Sequence, residues 1–157
     1  MSDAPWTDVC AVSDLPADGG RRVVCQGRAL AVFRVDDPAA PGAAAEVRIL
    51  DDRCPHAGGS LSAGSIDRTQ RDPGSARALD AFATPDIPPG HTGCVICPVH
   101  AMPFDLDTGR CPESAPPRAR VRVYPPRVAA GRVLALLPAA DPPARQPGPG
   151  NAPPQPL

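Results

Sequence analysis

Short apolar runs separated by Gly, Pro and Asp dominate the chain and predict a mostly β protein. Residues 21–37 predict a hairpin, because two apolar runs flank the turn residues Gln26 and Gly27. No window has the i, i+3, i+4, i+7 spacing of a sustained amphipathic helix. Further strands are predicted at 46–50, 93–97, 120–124 and 132–137, the last two forming a pair that turns at Gly131.

Two segments depart from this strand pattern. Residues 65–92 are polar and interrupted by four prolines, which predicts a long surface loop with at most one helical turn. Residues 140–157 contain seven prolines and two glycines and have too little apolar surface to offset the entropy of ordering. The sequence therefore predicts one domain over 1–139, with a loop insertion at 65–92, and a disordered Pro-rich tail at 140–157.

Charge and hydropathy narrow the function classes. A formal net charge of −1 gives no reason to expect nucleic acid or an anionic membrane as a partner. The apolar run 133–137 is far shorter than the roughly 20 residues of a spanning helix, and the N-terminus lacks the layout of a signal peptide. We therefore expect a cytoplasmic protein, in which six cysteines indicate metal ligation or reactive thiols rather than disulfides.

Two short loops supply the candidate chemistry. Cys54-Pro-His56 follows one predicted strand and Cys97-Pro-Val-His100 follows another. Two thiolates and two imidazoles suit either one tetrahedral zinc or a [2Fe–2S] cluster with both thiolates on one iron and both imidazoles on the other. Zinc fingers usually place a Cys pair before a His pair, whereas here each loop contributes one of each, which favours the cluster.

This Cys-x-His and Cys-x-x-His pattern resembles the Rieske [2Fe–2S] family. Gly58-Gly59, Phe104-Asp105-Leu106 and Thr108-Gly109 extend the resemblance. It implies an antiparallel Rieske-type β-sandwich or barrel with a two-loop tip that binds the cluster. It also implies one [2Fe–2S] cluster per chain, one-electron transfer, no catalytic residue, and four ligands: Cys54, His56, Cys97 and His100.

The resemblance also bears on the reduction potential. In the high-potential type of the family each loop carries an extra Cys, and the two form a disulfide; the corresponding residues here are Gly59 and Val99. A Ser that donates to a cluster sulfide is replaced by Ala101-Met102. Fewer donors to the sulfurs imply a potential in the lower part of the roughly −150 to +300 mV Rieske span, so a measured midpoint well above about +150 mV would contradict this expectation.

Segments 6–10, 31–34, 104–111 and 123–128, which flank the two loops, resemble the small subunit of NAD(P)H-dependent assimilatory nitrite reductase. That resemblance implies a large-subunit partner that carries FAD, siroheme and a [4Fe–4S] cluster and reduces nitrite to ammonia, while this chain has no complete active site of its own. A free-standing Rieske ferredoxin that supplies an oxygenase is the alternative, and a scaffold subunit with a merely structural cluster is a third.

Residues outside the four ligand candidates are expected to have supporting or surface roles. Cys94 forms a Cys-x-x-Cys motif with Cys97, but Cys97 is already assigned as a ligand. Asp105 is a candidate for orienting a ligand imidazole. Phe104, Cys10, Cys25 and Cys111 are expected to pack in the core, His91 at the surface, and Arg118, Arg120, Arg122 and Arg127 on a solvated strand face or against an acidic partner.

Overall fold

Ten strands and two three-residue 3-10 turns make up the described part of the chain. The computed structural model describes residues 5–17, 19–36, 41–68, 92–111 and 119–139. None of the helical segments in these ranges is long and apolar enough to cross a membrane. The strands are β1 (Thr7–Ala11), β2 (Gly20–Cys25), β3 (Arg28–Val35), β4 (Glu46–Asp51), β5 (Ser65–Asp67), β6 (Cys94–Ile96), β7 (Pro103–Asp105), β8 (Val123–Tyr124), β9 (Pro126–Ala129) and β10 (Arg132–Ala135).

The strands form three antiparallel sheets. Their orders are β1-β10-β9, β2-β3-β4-β8 and β5-β6-β7. The mostly β, antiparallel fold class predicted from the sequence is therefore confirmed. The two predicted cluster loops both lead into the third and smallest sheet.

Strand β3 is buried on both faces and separates two hydrophobic cores. Because side chains alternate along a strand, Leu30 and Val32 join one core while Ala31, Phe33 and Val35 join the other. The first core also takes residues from β1 and β10. The second contains the sulfur-bearing Cys54 and Cys97 together with residues of β6 and β7, so the candidate site lies at the edge of a packed core.

The predicted hairpin at 21–37 is confirmed over its described residues. Strands β2 and β3 pair from Gly20 opposite Phe33 to Cys25 opposite Arg28. The two-residue turn has positive φ at both positions, 51° at Gln26 and 74° at Gly27. This is the type I′ geometry, whose twist matches that of the flanking strands.

The predicted pairing of 120–124 with 132–137 is wrong. Strand β10 pairs with β9 on one side and β1 on the other, and β8 pairs instead with β4. Strand β9 was not predicted, and its first residue is Pro126, a position that tolerates proline. The turn at Gly131 is correct, although it joins β9 to β10.

The predicted loop 65–92 is wrong at its start. Residues 65–67 form β5, which pairs with β6. At its other end, Thr92 is buried and its hydroxyl donates to the Asp107 carboxylate over 3.1 Å. Residues 69–91 of the predicted loop, which include His91, lie outside the described residues, as do Arg118 and the tail 140–157.

Candidate cluster site

Both predicted ligand loops lie where strands end at one edge of the molecule. Loop one, residues 54–59, follows β4 and leads toward β5. Loop two, residues 97–102, joins β6 to β7 as the tip of a hairpin. The fold therefore brings all four residues predicted as ligands to the same edge.

The two loops close with the same pattern of backbone hydrogen bonds. In loop one, Cys54 N–H donates to Gly59 C=O and Gly58 N–H donates to Cys54 C=O, both over 2.8 Å. In loop two, Cys97 N–H donates to Met102 C=O and Ala101 N–H donates to Cys97 C=O, both over 2.9 Å. Each loop is thus a rigid turn that starts at its cysteine.

A left-handed residue occupies the same place in both turns. Gly58 has φ of 76° and Ala101 has φ of 57°. The left-handed region costs a non-glycine residue roughly 1–2 kcal/mol, whereas glycine adopts it freely. The sequence pattern gave no sign of this strained alanine.

Replacing Ala101 by glycine is expected to stabilise the protein. Relief of the left-handed strain outweighs the added chain entropy of glycine, so we expect the free energy of unfolding to rise by about 0.5–1 kcal/mol. Gly58→Ala is the reciprocal control and should lower it by about 1 kcal/mol. Denaturant unfolding measures both, and a destabilised Ala101→Gly variant would contradict the account.

The sulfur side of the site is buried. Cys54 and Cys97 are each 1% exposed and their thiols are in hydrogen-bonding contact. Burial raises the pKa of the Cys54 thiol, and the Cys97 thiol raises it further, whereas the backbone N–H groups of His56 and Ala57 donate to the Cys54 sulfur and lower it. Such donors also stabilise a metal-bound thiolate.

The imidazole side of the site is exposed. The rings of His56 and His100 meet edge to face, with an interplanar angle of 89° and centroids 4.6 Å apart. Their Nδ1 atoms face each other at 3.1 Å. Two nitrogens that bind one metal at about 2.0–2.1 Å with tetrahedral angles lie roughly 3.4 Å apart, so this spacing suits two ligands of one ion.

Gly59 and Val99 face each other where the loops meet. A Cβ on Gly59 would lie 2.6 Å from Val99 Cγ2 and 3.1 Å from Cys97 Sγ. Real Cβ contacts are longer than the first of these distances, so in this structure a side chain at residue 59 would have to displace Val99 and press on the Cys97 sulfur. From the family resemblance, these two residues correspond to the cysteines that form a disulfide in the high-potential type.

A buried carboxylate, which sequence analysis missed, ties together the two ends of loop one. Asp52 Oδ1 accepts the Ser62 N–H over 2.6 Å, and Oδ2 accepts the Ser60 and Ser62 hydroxyls over 2.8 and 3.0 Å. Arg22 lies 3.6 Å from the same carboxylate. Because Asp52 precedes the loop and the serines follow it, this network fixes the span that contains Cys54 and His56.

Two further predictions concern residues behind loop two. Phe104 is fully buried in the core with Cys97, as expected. The predicted role of Asp105 in orienting a ligand imidazole stays a prediction. Asp105 Oδ1 accepts the backbone N–H groups of Asp107 and Thr108 and the Thr108 hydroxyl, which fixes its own turn.

Tyr124, the only tyrosine of the chain, supports the strand end before loop one. Its buried hydroxyl donates to the Asp51 carboxylate over 2.6 Å. Burial raises the pKa of Tyr124 above its ordinary value of 10, and Asp51 raises it further, while Arg122 and Arg28 oppose the shift.

The raised pKa of Tyr124 predicts a loss of stability at alkaline pH. A group whose folded-state pKa exceeds its unfolded value contributes stability below the unfolded value, near pH 10, and loses that contribution as pH rises through the folded value. Absorbance of the phenolate should therefore show a midpoint above pH 10 in the folded protein and near 10 in denaturant. A folded-state midpoint at or below 10 would contradict the assigned contacts, and Tyr124→Phe should abolish the signal.

The four donors are suited to a two-iron cluster. They form two like pairs, one sulfur and buried, the other nitrogen and exposed. In the part of the chain that the structure describes, no three His, Cys, Asp or Glu side chains are grouped as ligands of one metal ion. Cys94, the other cysteine of the Cys-x-x-Cys motif, is buried in β6 and pairs across the sheet with Asp105.

A family comparison identifies the domain. Residues 5–72 match the model of the Rieske [2Fe–2S] domain. The chain contains a Rieske [2Fe–2S] domain. The matched residues include Cys54 and His56 but end before Cys97 and His100.

Known relatives of this Rieske domain include both enzyme subunits and ferredoxins. The anthranilate 1,2-dioxygenase ferredoxin subunit of Burkholderia cepacia is 28% identical over 83% of this chain and 90% of its own. A putative NADH-dependent nitrite reductase small subunit from Mycobacterium tuberculosis is 28% identical over 83% of this chain and 93% of its own, with a TM-score of 0.59. A chain from the complex of reduced oxygenase and oxidised ferredoxin in carbazole 1,9a-dioxygenase is 27% identical over 85% and 94%, with a TM-score of 0.55.

These comparisons establish the cofactor class and its general role. A Rieske domain binds a [2Fe–2S] cluster and transfers electrons. Relatives with closely similar identity serve a nitrite reductase in one case and an oxygenase in the other.

Proposed function

We propose that Cys54 and Cys97 bind the inner iron of the cluster and that His56 and His100 bind the outer iron through Nδ1. The 3.1 Å approach of the two Nδ1 atoms, on the opposite side of the site from two buried thiols in mutual contact, carries the proposal. The arrangement differs from that of a zinc finger, in which a Cys pair precedes a His pair, because each loop delivers one donor to each iron.

The cluster supplies one-electron chemistry, and the residues around it set its environment. Cys54 and Cys97 keep the sulfur end away from water, and the amide groups of His56 and Ala57 donate to the Cys54 sulfur. The exposed rings of His56 and His100 form the outer surface, so a partner that contacts them shortens the path for an electron. Asp52 and the shared turn pattern hold both loops in position.

We further propose that the chain is the small subunit of an NAD(P)H-dependent nitrite reductase and acts in the cytoplasm in nitrate assimilation. In that role it would carry electrons within a complex whose large subunit contains FAD, siroheme and a [4Fe–4S] cluster. The 28% identity to the Mycobacterium tuberculosis protein and the flanking segments described above support this assignment. None of the six cysteines forms a disulfide, as suits a reducing compartment.

A second candidate is a free-standing ferredoxin that supplies electrons to an oxygenase. The anthranilate 1,2-dioxygenase ferredoxin subunit is as similar in sequence as the nitrite reductase subunit, over a comparable share of the chain. The two candidates differ in the partner rather than in the cluster. An assay with each partner therefore separates them.

The deciding experiment combines the purified holoprotein with the large nitrite reductase subunit of its source organism or, separately, with an oxygenase and its reductase. The proposal expects NAD(P)H-linked reduction of nitrite to ammonia that depends on the added chain. His56→Cys, which alters the outer ligand and the potential, should change that turnover if the cluster carries electrons. Unchanged turnover at an altered potential would indicate a structural cluster, and oxygenase turnover alone would favour the ferredoxin.

A further inference from the structure

A groove lined by arginines lies beside loop one. The groove has a volume of about 390 Å³. A second depression of about 520 Å³ shares Arg120 and Arg122 with it and extends toward Thr108. The groove beside loop one is lined by Arg28, Ala29, Asp51, Arg53, Pro55, Arg120, Val121 and Arg122.

The charge of this groove is strongly positive although the whole chain is slightly acidic. Four arginines line it against one carboxylate, Asp51, which is already bound by the Tyr124 hydroxyl. In the adjoining depression, Asp107 is paired with Arg48 over 2.7 Å. Among the described residues, no carboxylate pairs with Arg53 or Arg120, and both side chains are exposed.

The groove is contiguous with the candidate cluster site. Pro55, which lines it, stands between Cys54 and His56 in loop one. The Arg53 side chain lies against the same loop, since a Cβ on Gly58 would be 3.6 Å from Arg53 Nε. A protein that binds in the groove is thereby placed next to the exposed edge of His56.

We propose that this groove, lined by Arg28, Arg53, Arg120 and Arg122, docks the acidic face of the electron-transfer partner. The inference rests on the proposed electron-transfer function. Exposed arginines attract carboxylates over distances of about 10 Å at moderate ionic strength, which steers association and fixes orientation. The groove is shallow and lies next to the site, so it suits an acidic protein surface that carries its own redox group close to the cluster.

The test uses the full-length holoprotein and a flavodoxin as an acidic protein donor. The hydroquinone of flavodoxin loses one electron and becomes the semiquinone, and the oxidised holoprotein gains that electron. Stopped-flow absorbance gives the rate, and titration calorimetry with both proteins oxidised gives the affinity. The variant is Arg120→Glu/Arg122→Glu, and the control is Arg21→Glu/Arg127→Glu, which makes the same change in net charge outside the groove.

The proposal expects the wild-type rate and affinity to fall about tenfold or more as salt rises, and the groove variant to show the low values already at low salt. Values in the groove variant that match those of the control, or a wild-type rate that does not depend on salt, would overturn it. Oxidation of the reduced protein by hexaammineruthenium(III), a small cation, should be as fast or faster in the groove variant. If the wild-type protein showed neither the reaction with hexaammineruthenium(III) nor the spectrum of the cluster, the proposed electron-transfer function, rather than the docking groove, would be wrong.

Discussion

The Cys97→Ala variant is expected to purify without a [2Fe–2S] cluster, whereas Cys94→Ala is expected to retain it. Both cysteines are buried, and both substitutions remove the same sulfur atom. Cys97 Sγ contacts the Cys54 thiol and lies next to Gly59 at the junction of the loops. In the proposed assignment the inner iron would then keep only one protein thiolate, and metal binding is coupled to folding.

Visible absorbance and iron content of the two purified variants measure this difference. Cys94→Ala should cost roughly 1–3 kcal/mol of stability through the small cavity that it leaves, with the cluster spectrum unchanged. A cluster retained in Cys97→Ala would contradict the ligand assignment. So would a folded Cys94→Ala variant that has lost its cluster, because that result would indicate that the Cys-x-x-Cys motif binds the metal.

Gly59→Ala is expected to lose most of its cluster. The added Cβ would lie 3.1 Å from Cys97 Sγ and 2.6 Å from Val99 Cγ2. Val99 is 53% exposed and has room to move, but the sulfur is fixed once it binds iron. The loops must then separate, and overpacking of this kind costs typically about 1–3 kcal/mol.

The neighbouring glycine provides the matched control for this substitution. A Cβ on Gly58 meets only the Arg53 side chain, at an ordinary contact distance of 3.6 Å. Gly58→Ala should therefore keep its cluster at a modest loss of stability, and Gly59→Ala/Val99→Ala should recover only part of the iron because the sulfur contact remains. Full iron content in Gly59→Ala would show that the loops do not approach as closely as described.

The strands that sequence reasoning located share a simple signal. The β2–β3 hairpin was predictable because apolar runs flank a Gln-Gly turn, and β4 and β6 because each apolar run ends at a charged or cysteine-bearing loop. Strands β5, β7 and β9 have only three or four residues. Two of them begin with proline, so their pairing is set by tertiary contacts rather than by local pattern.

The residues of the candidate site also differ in whether the sequence alone reveals them. The four ligand candidates were recognisable because thiolate and imidazole at short spacing are rare and chemically specific. The hydrogen-bond network of Asp52 was not recognisable from the sequence, because an aspartate that follows a strand is typical of a turn. Only the fold brings Ser60 and Ser62 into contact with its carboxylate. The arginine groove joins residues from β3, loop one and the segment before β8, so no single stretch of sequence displays it.

One measurement tests the account most directly: iron and acid-labile sulfide analysis of anaerobically purified wild-type protein, together with electron paramagnetic resonance of its reduced form. We expect two irons and two sulfides per chain, as in a [2Fe–2S] centre. We also expect a rhombic signal whose average g value lies below that of an all-cysteine cluster, because in the proposed assignment two imidazoles bind the reducible iron. Zinc in place of iron, or the g values of an all-cysteine cluster, would contradict the assignment of His56 and His100 as ligands.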